Sequence, residues 1–196
     1  MNYLIVDISY LIFYRYFALL QWWKLAKPDN ELPENPYESK EFVDKFEKMM
    51  IESLTTIKKK LKIHKEKCKV FAARDCPRTE IWRNKLYPEY KEERYKDDAF
   101  MGGSFFKHVY NNNILVKAGF ENILKYPNME ADDIAAILKF KIREKFPEEK
   151  IYIITNDHDY LQLMDNNTEL INLKFKYLGK RRFTSNFNFK GFWGFG

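Results

Sequence analysis

Three short apolar segments, each with an aspartate at or just beyond its end, restrict the fold of this 196-residue chain more than any other feature. Residues 3–8, 67–73 and 150–155 are rich in β-branched and aromatic side chains, as expected of buried strands. The aspartates are Asp7, Asp75 and Asp157. Weaker apolar segments at 122–126 and 169–173 predict two further strands.

The segments between these strands have helical patterns. Ser39 is a suitable N-cap for one long helix, and Pro147 ends another. The predicted helices span residues 10–25, 39–61, 104–118 and 130–145. Strands that alternate with helices in this way predict an α/β domain with a mostly parallel sheet.

Acidic residues from four separate segments are expected at one edge of this sheet. Functional groups in parallel α/β sheets collect at the C-terminal ends of the strands. Asp7, Asp75 and Asp157 follow strands, and Glu130 opens a helix that follows another strand. Any one of them alone is better interpreted as a turn or helix-cap residue. The four together favour a functional site.

Acidic residues are also grouped within two of these segments. Glu130 and Asp133 share a helix face, Asp132 lies on a neighbouring face, and Asp157 and Asp159 flank a turn. Crowded carboxylates repel one another unless a cation neutralises them, and oxygen ligands favour magnesium or manganese. The cluster therefore suits two-metal hydrolysis of phosphodiesters. A solvated helix terminus and an Asx-turn are the alternative interpretations.

Residues 76–107 alternate basic and aromatic side chains, a pattern that suits nucleic acid. A net charge of +6 and a pI of about 9.1 are compatible with a polyanionic partner without requiring one. The alternative is an exposed amphipathic helix whose aromatic residues, Trp82 among them, pack into the core.

Four blocks of the sequence resemble the 5′-nuclease family of flap endonucleases, phage 5′–3′ exonucleases and the 5′-nuclease domain of bacterial DNA polymerase I. The blocks, in family order, are VDISYLIFYRYFA, FAARDCPRTEIWRNKLYPEYKEER, MEADDIAAIL and ITNDHDYLQL. The resemblance implies a three-layer α/β/α PIN-like fold with a mostly parallel twisted sheet. We expect a catalytic domain at 1–178, an arch-like region at about 76–107, and an irregular tail at 179–196.

The same resemblance assigns roles to individual residues. It implies that Asp7, Asp75, Glu130 and Asp132 hold a first metal ion, and that Asp133, Asp157 and Asp159 serve or bridge to a second. Lys91 and Arg94 would contact the scissile phosphate. The remaining expected DNA contacts are Arg15, Arg78, Arg83, Lys85, Tyr90 and Lys96, with Trp82, Tyr87 and Tyr95 as further stacking candidates.

These roles predict a 5′–3′ exonuclease or flap endonuclease that uses two Mg²⁺ (or Mn²⁺) ions on DNA with a 5′ single-stranded end or flap, in replication or repair. Family members continue with a GDxxDN-like segment and a helix–hairpin–helix-type module, whereas this sequence reaches Gly196 without either. We therefore expect a second metal site with fewer ligands. A catalytically weakened DNA-binding remnant and a PIN-type ribonuclease are the alternatives.

Other functional classes are disfavoured by composition. Cys68 and Cys76 form no pair with metal-ligand spacing, and the three histidines form none, so a zinc site is not expected. The apolar N-terminus is interrupted by Asp7 and is too short to span a bilayer. We expect an intracellular, soluble monomer without a membrane segment or a small-molecule cofactor.

Overall fold

Five parallel strands form the central sheet of the protein, which the computed structural model describes over residues 1–87, 90 and 101–179. The strands are β1 (Asn2–Asp7), β2 (Cys68–Ala73), β3 (Asn122–Leu124), β4 (Lys150–Ile154) and β5 (Thr168–Ile171). Their spatial order is β3-β2-β1-β4-β5, so β1 is central and pairs with β2 and β4. The predicted α/β class with a mostly parallel sheet is confirmed.

Side chains of β1 alternate between two hydrophobic cores, one on each face of the sheet. Leu4 and Val6 pack with the larger core, and Tyr3 and Ile5 pack with the smaller one. This period of two is inherent to an extended strand. Because both faces are covered by helices, residues 3–6 of β1 are all apolar, and the protein has the three predicted layers.

Most of the helices cover one face of the sheet. The helices are α1 (Ile8–Ala26), α2 (Lys40–Ile51), α3 (Ser53–Lys60), α4 (Arg83–Leu86), α5 (Gly103–Asn111), α6 (Ile114–Lys117) and α7 (Ala131–Lys145). Helices α1, α2, α3, α5 and α6 contribute to the larger core, whereas α7 packs on the opposite face. Short 3₁₀ turns occur at Pro36–Glu38, Arg78–Glu80 and His158–Leu163.

Two predicted helices are each divided in the structure. The helix expected at 39–61 breaks at Glu52, next to Ser53, whose hydroxyl donates to the Met49 carbonyl at 2.7 Å. The helix expected at 104–118 breaks at Asn113, which has a left-handed backbone conformation with φ of 54°. Asparagine tolerates this conformation better than most residues. Helix periodicity alone does not reveal either break.

Several predictions fall outside the described residues. Lys91, Arg94, Tyr95 and Lys96 belong to this group, as does the tail from residue 180 onward. The domain limits at 1–178 remain a prediction. Among the helices that the structure describes, none is long and apolar enough to cross a membrane.

We expect Phe105→Ala to lower the free energy of unfolding by about 3–5 kcal/mol, because the fully buried ring of Phe105 packs against Phe42 and Phe46 and its loss leaves a cavity. Phe140→Ala is the matched control, since the Phe140 side chain on α7 is half-exposed. Denaturant unfolding of the variants measures both effects. Equal stability losses would contradict this account of the core.

Candidate active site

An open cleft of about 1030 Å³ lies at the edge where the strands of the sheet end. Residues that directly follow β1, β2 and β4 line it, together with the start of α7. The expected gathering of acids is largely present. Five of the seven predicted carboxylates line the cleft: Asp7, Asp75, Glu130, Asp132 and Asp157.

Asp7 is held rigidly at the junction of β1 and α1. It caps the helix, since its Oδ1 accepts the Tyr10 backbone N–H at 3.0 Å. Its Oδ2 accepts the Thr155 hydroxyl at 3.3 Å and the Tyr160 hydroxyl at 3.2 Å. Burial, with the neighbouring negative charge of Asp75 as a second cause, raises the pKa of Asp7 to about 7.

Asp75 connects three elements through its two oxygens. Its Oδ1 accepts the Ala131 backbone N–H at the start of α7 at 2.7 Å, and its Oδ2 accepts the Ser9 hydroxyl from the start of α1. The carboxylate therefore has a fixed orientation beside Asp7. A helix N-terminus also stabilises negative charge, which makes this position tolerable for an anion.

Asp132 is the second cleft acid whose charge is disfavoured. Burial, with smaller contributions from the charges of Asp133 and Glu130, raises the pKa of Asp132 to about 6 against the opposing effect of Arg83. Carboxylates with elevated pKa values in a cleft are typical of functional sites. A cation near Asp7 and Asp132 would lower the electrostatic cost of ionising them.

The cleft fits a hard divalent cation by its donor chemistry. The cleft-lining acids offer oxygen ligands, and burial raises the pKa values of Asp7 and Asp132, so a bound cation would favour their ionised forms. Within the described ranges, however, no group of three acidic, histidine or cysteine side chains is already arranged around one ion position. The ligand shell is therefore not fully preformed.

Glu130 and Asp133 differ from these acids because Arg83 neutralises them. Arg83 Nη1 donates to Glu130 Oε2 at 2.8 Å, and both Arg83 Nη atoms donate to Asp133 at 2.8 and 3.0 Å. Arg83 Nη2 also lies 3.6 Å from Asp132 Oδ2. Asp133 does not line the cleft. Asp133, a predicted metal ligand, is thus bonded directly to Arg83, a predicted DNA contact.

The acids that follow β4 are exposed. Asp157 lines the cleft, and its Oδ1 accepts the Asp159 backbone N–H at 2.9 Å, as the Asx-turn alternative expected. Asp159 is exposed and does not line the cleft. These two acids are the least constrained of the predicted ligands.

The predicted DNA contacts are spread more widely than the acids. Arg78 and Tyr90 line the cleft, and the Tyr90 hydroxyl donates to Glu130 Oε2 at 3.1 Å. Lys85 is exposed on α4 and lines no part of the cleft. Arg15 also lies outside the cleft lining, and its Nε donates to the Ser53 hydroxyl at 3.0 Å.

Arg74 is a cleft residue that the sequence interpretation did not identify. Its guanidinium lies 3.5 Å from the centroid of the Tyr110 ring, and its buried Nε has no hydrogen-bond acceptor among the described residues. Burial raises the pKa of Tyr110 to about 12, so the phenol stays neutral. The strand alternation of β2 places position 74 toward the larger core, and this signal was available in the sequence.

Other cleft residues were also missed because their partners are distant in sequence. Thr155 and Tyr160 bond to Asp7 across about 150 positions, and Lys125 enters the cleft from the turn after β3. Hydroxyl groups carry no distinctive spacing, so no sequence pattern marked them.

The chain is similar to one protein family and to two curated bacterial proteins. The family described as "5′-3′ exonuclease, N-terminal resolvase-like domain" matches residues 2–188. A 5′-3′ exonuclease of Buchnera aphidicola subsp. Acyrthosiphon pisum is 32% identical over 93 residues, which cover 47% of this chain and 30% of that protein. A 5′-3′ exonuclease of Mycoplasmopsis pulmonis is 35% identical over 89 residues, which cover 44% of this chain and 27% of that protein.

Solved structures share the fold at low sequence identity. Phage T5 5′-exonuclease with bound zinc ions has a TM-score of 0.56 at 17% identity, covering 91% of this chain and 58% of that protein. A phage T5 flap endonuclease in complex with DNA and metal ions has a TM-score of 0.55 at 16% identity, covering 90% and 57%. The match thus covers less than a third of each curated relative and little more than half of each phage chain.

We expect Asp7→Asn to stabilise the metal-free protein at pH 8 by on the order of 2 kcal/mol, which is several degrees in Tm. The folded-state pKa of about 7 exceeds the usual 3.8, so ionisation of Asp7 removes stability as pH rises from about 4 to 7. Asparagine can retain the helix cap without the charge.

Thermal unfolding in chelator at pH 5 and pH 8 measures this effect, and the gain should be smaller at pH 5. Asp29→Asn, in an exposed loop, is the control and should change Tm little at either pH. Equal Tm values for wild type and Asp7→Asn at pH 8 would contradict the proposed charge burial.

Proposed function

Because the chain belongs to the 5′-3′ exonuclease N-terminal resolvase-like family, we propose that it is a divalent-metal-dependent nuclease that hydrolyses DNA phosphodiesters at or near 5′ ends. The 5′–3′ exonuclease or flap endonuclease reaction is the form of this activity that we propose, with a role in replication or repair. The single observation that carries the proposal is the pair of cleft acids, Asp7 and Asp132, whose pKa values stay raised by burial, in Asp132 despite the nearby Arg83.

Asp7, Asp75, Glu130 and Asp132 are the proposed ligands of a first Mg²⁺ or Mn²⁺ ion. Asp157 and Asp159 are the proposed ligands of a second. Bound divalent ions would supply a nucleophilic water at neutral pH and stabilise charge on the leaving oxygen. The cleft position of Asp157 supports this assignment better than the exposed position of Asp159 does.

Hydroxyl and backbone donors orient two of the four proposed ligands of the first ion, Asp7 and Asp75. Thr155 and Tyr160 orient Asp7, while Ser9 and the Ala131 N–H orient Asp75. Ligands fixed by such bonds need little reorganisation when a cation arrives. The same donors do not neutralise the carboxylates, so the attraction for a cation is retained.

The remainder of the cleft offers groups suited to single-stranded DNA. Arg74, Arg78 and Lys125 are positioned to attract backbone phosphates. Phe13 and Phe106 present aromatic rings near the acids, on which unpaired bases can stack. The further proposed contacts to DNA, from inside and outside the described residues, are Arg15, Lys85, Tyr90, Lys91, Arg94 and Lys96.

The proposal is tested with a 5′-labelled flap duplex and a matched RNA hairpin, each with Mg²⁺ or with chelator. We expect Mg²⁺-dependent cutting of the flap DNA and at least ~100-fold slower cutting by Asp132→Ala, because one ligand of the first ion is lost. Asp44→Ala, on the exposed side of α2, should cut like wild type.

Three results would decide against parts of this function. Preferential cutting of the RNA hairpin would favour a ribonuclease. No metal-dependent product from either substrate would leave a DNA-binding remnant. Full activity in Asp132→Ala would overturn the assignment of the first metal site.

We expect Lys91→Ala to slow flap cutting by about 100-fold while the Kd for flap DNA changes only a few-fold. A cation at the scissile phosphate acts mainly on charge that develops in the transition state. Single-turnover rates and binding titrations separate the two quantities. Lys141→Ala, exposed on α7, is the control. A loss confined to DNA affinity would instead make Lys91 an ordinary phosphate contact.

A further inference from the structure

Asp133 has both carboxylate oxygens occupied by protein donors. Its Oδ1 accepts Arg83 Nη2 at 2.8 Å. Its Oδ2 accepts Arg83 Nη1, Trp82 Nε1 and the Glu130 backbone N–H, each at 3.0 Å. A carboxylate oxygen has about two acceptor positions, so Oδ2, with three donors, has none left for a cation. A cation could approach only Oδ1, beside the positively charged guanidinium of Arg83.

The side-chain donors to Asp133 come from one short stretch of chain, whose neighbours Ile81 and Asn84 line the cleft. Trp82 and Arg83 lie at the start of α4, and the Arg83 guanidinium lies 4.8 Å from the Trp82 ring centroid. The Trp82 backbone N–H also donates to the Asn128 carbonyl at 3.0 Å, just before α7. Two side chains and one backbone group therefore join α4 to the start of α7.

Tyr90 extends the same connection toward Lys91, its neighbour in sequence. Its hydroxyl donates to Glu130, and its ring centroid lies 5.8 Å from the Arg83 guanidinium carbon. The contact between the chain around α4 and the start of α7 thus consists of Trp82, Arg83, Tyr90, Glu130 and Asp133. The pair of Arg83 and Asp133 is central to this contact, because a bidentate arginine–carboxylate pair fixes orientation as well as distance.

Charge explains why Arg83 stays in this position. The Arg83 guanidinium lies 2.8 Å from Glu130 Oε2, 2.8 Å from Asp133 Oδ1 and 3.6 Å from Asp132 Oδ2. The guanidinium is therefore strongly retained by the acids at the start of α7. A phosphate would compete with Asp133 for the same donors, so Arg83 is poorly placed to serve as a DNA contact.

We propose that Asp133 is a positioning residue and not a metal ligand: through Arg83 and Trp82 it holds the cleft-lining chain next to Lys91. This inference rests on the proposed nuclease function and revises the roles that the sequence suggests for Asp133 and Arg83. Asp132, the adjacent acid, points into the cleft and remains a proposed ligand. Neighbouring aspartates would thus have separate tasks.

The experiment compares Asp132→Asn and Asp133→Asn by calorimetric titration with Mn²⁺ alone. We expect Asp132→Asn to weaken Mn²⁺ binding by more than about tenfold, since a ligand is lost. Asp133→Asn should leave Mn²⁺ affinity within about threefold of wild type, because asparagine keeps the cap on Glu130. An equal loss of affinity in both variants would overturn the proposal.

A double-mutant cycle in flap cutting tests whether Arg83 and Asp133 act as one unit. We expect Arg83→Gln and Asp133→Asn each to lower kcat on the order of 10- to 100-fold, with the double variant no slower than the worse single variant. Additive losses would overturn the proposal. Trp82→Phe, which removes the indole donor, should lower kcat by a smaller factor. It replaces Asp133→Asn as the test if Asp133→Asn does not fold.

Asp165→Asn is the matched control for a purely structural loss. Arg143 donates to Asp165 through Nε at 3.1 Å and Nη2 at 3.0 Å, so this pair is also bidentate but lies near the opposite end of α7. Asp165→Asn should lower Tm without changing Mn²⁺ affinity or kcat. If Asp165→Asn lowered kcat as much as Asp133→Asn, the positioning role would be wrong.

If the proposed nuclease function is wrong, the cutting and Mn²⁺-binding experiments give a different combination of results. Absence of metal-dependent cutting by wild type, with Mn²⁺ still bound, would overturn the nuclease proposal alone. The titration of Asp132→Asn and Asp133→Asn would then still decide which aspartate is a ligand, since it requires no DNA.

Discussion

The burial of negative charge where β1 passes into α1 is the constraint around which the cleft is organised. Asp7 ends the central strand and caps the following helix, so its backbone position is fixed by two elements at once. Its carboxylate is oriented by donors from α1 and from the residues after β4. Loss of solvation is the main cost of this arrangement, and repulsion by the neighbouring Asp75 adds to it.

The acidic residues of the protein fall into two groups by how their charge is compensated. Arg83 neutralises Glu130 and Asp133 at the start of α7. Asp7 and Asp132 lack comparable compensation and have raised pKa values. Breaking the first group leaves an unpaired buried charge, which is costly, whereas the second gains from an added cation. The predicted acidic cluster therefore divides in the structure into two groups that differ in how their charge is compensated.

The features predicted correctly are those encoded locally. The apolar strands, the helix at α7 and the acids at strand ends each depend on neighbouring residues, and parallel pairing brings the strand ends together. The pairing of Arg83 with Asp133 joins positions 50 apart and has no local signature. The bond from Arg15 to Ser53 likewise has no local signature, because Ser53 lies at the break between α2 and α3, which periodicity does not show.

The connection between β1 and α1 contains no loop residue, since Asp7 ends the strand and Ile8 begins the helix. An insertion there would rotate α1 relative to the sheet and separate the cap from its carboxylate. The connection from α1 to α2, by contrast, runs through a mostly exposed stretch at 27–39 that bears no cleft residue. Insertions and deletions are therefore tolerated in the connection after α1 but not at the junction of β1 with α1.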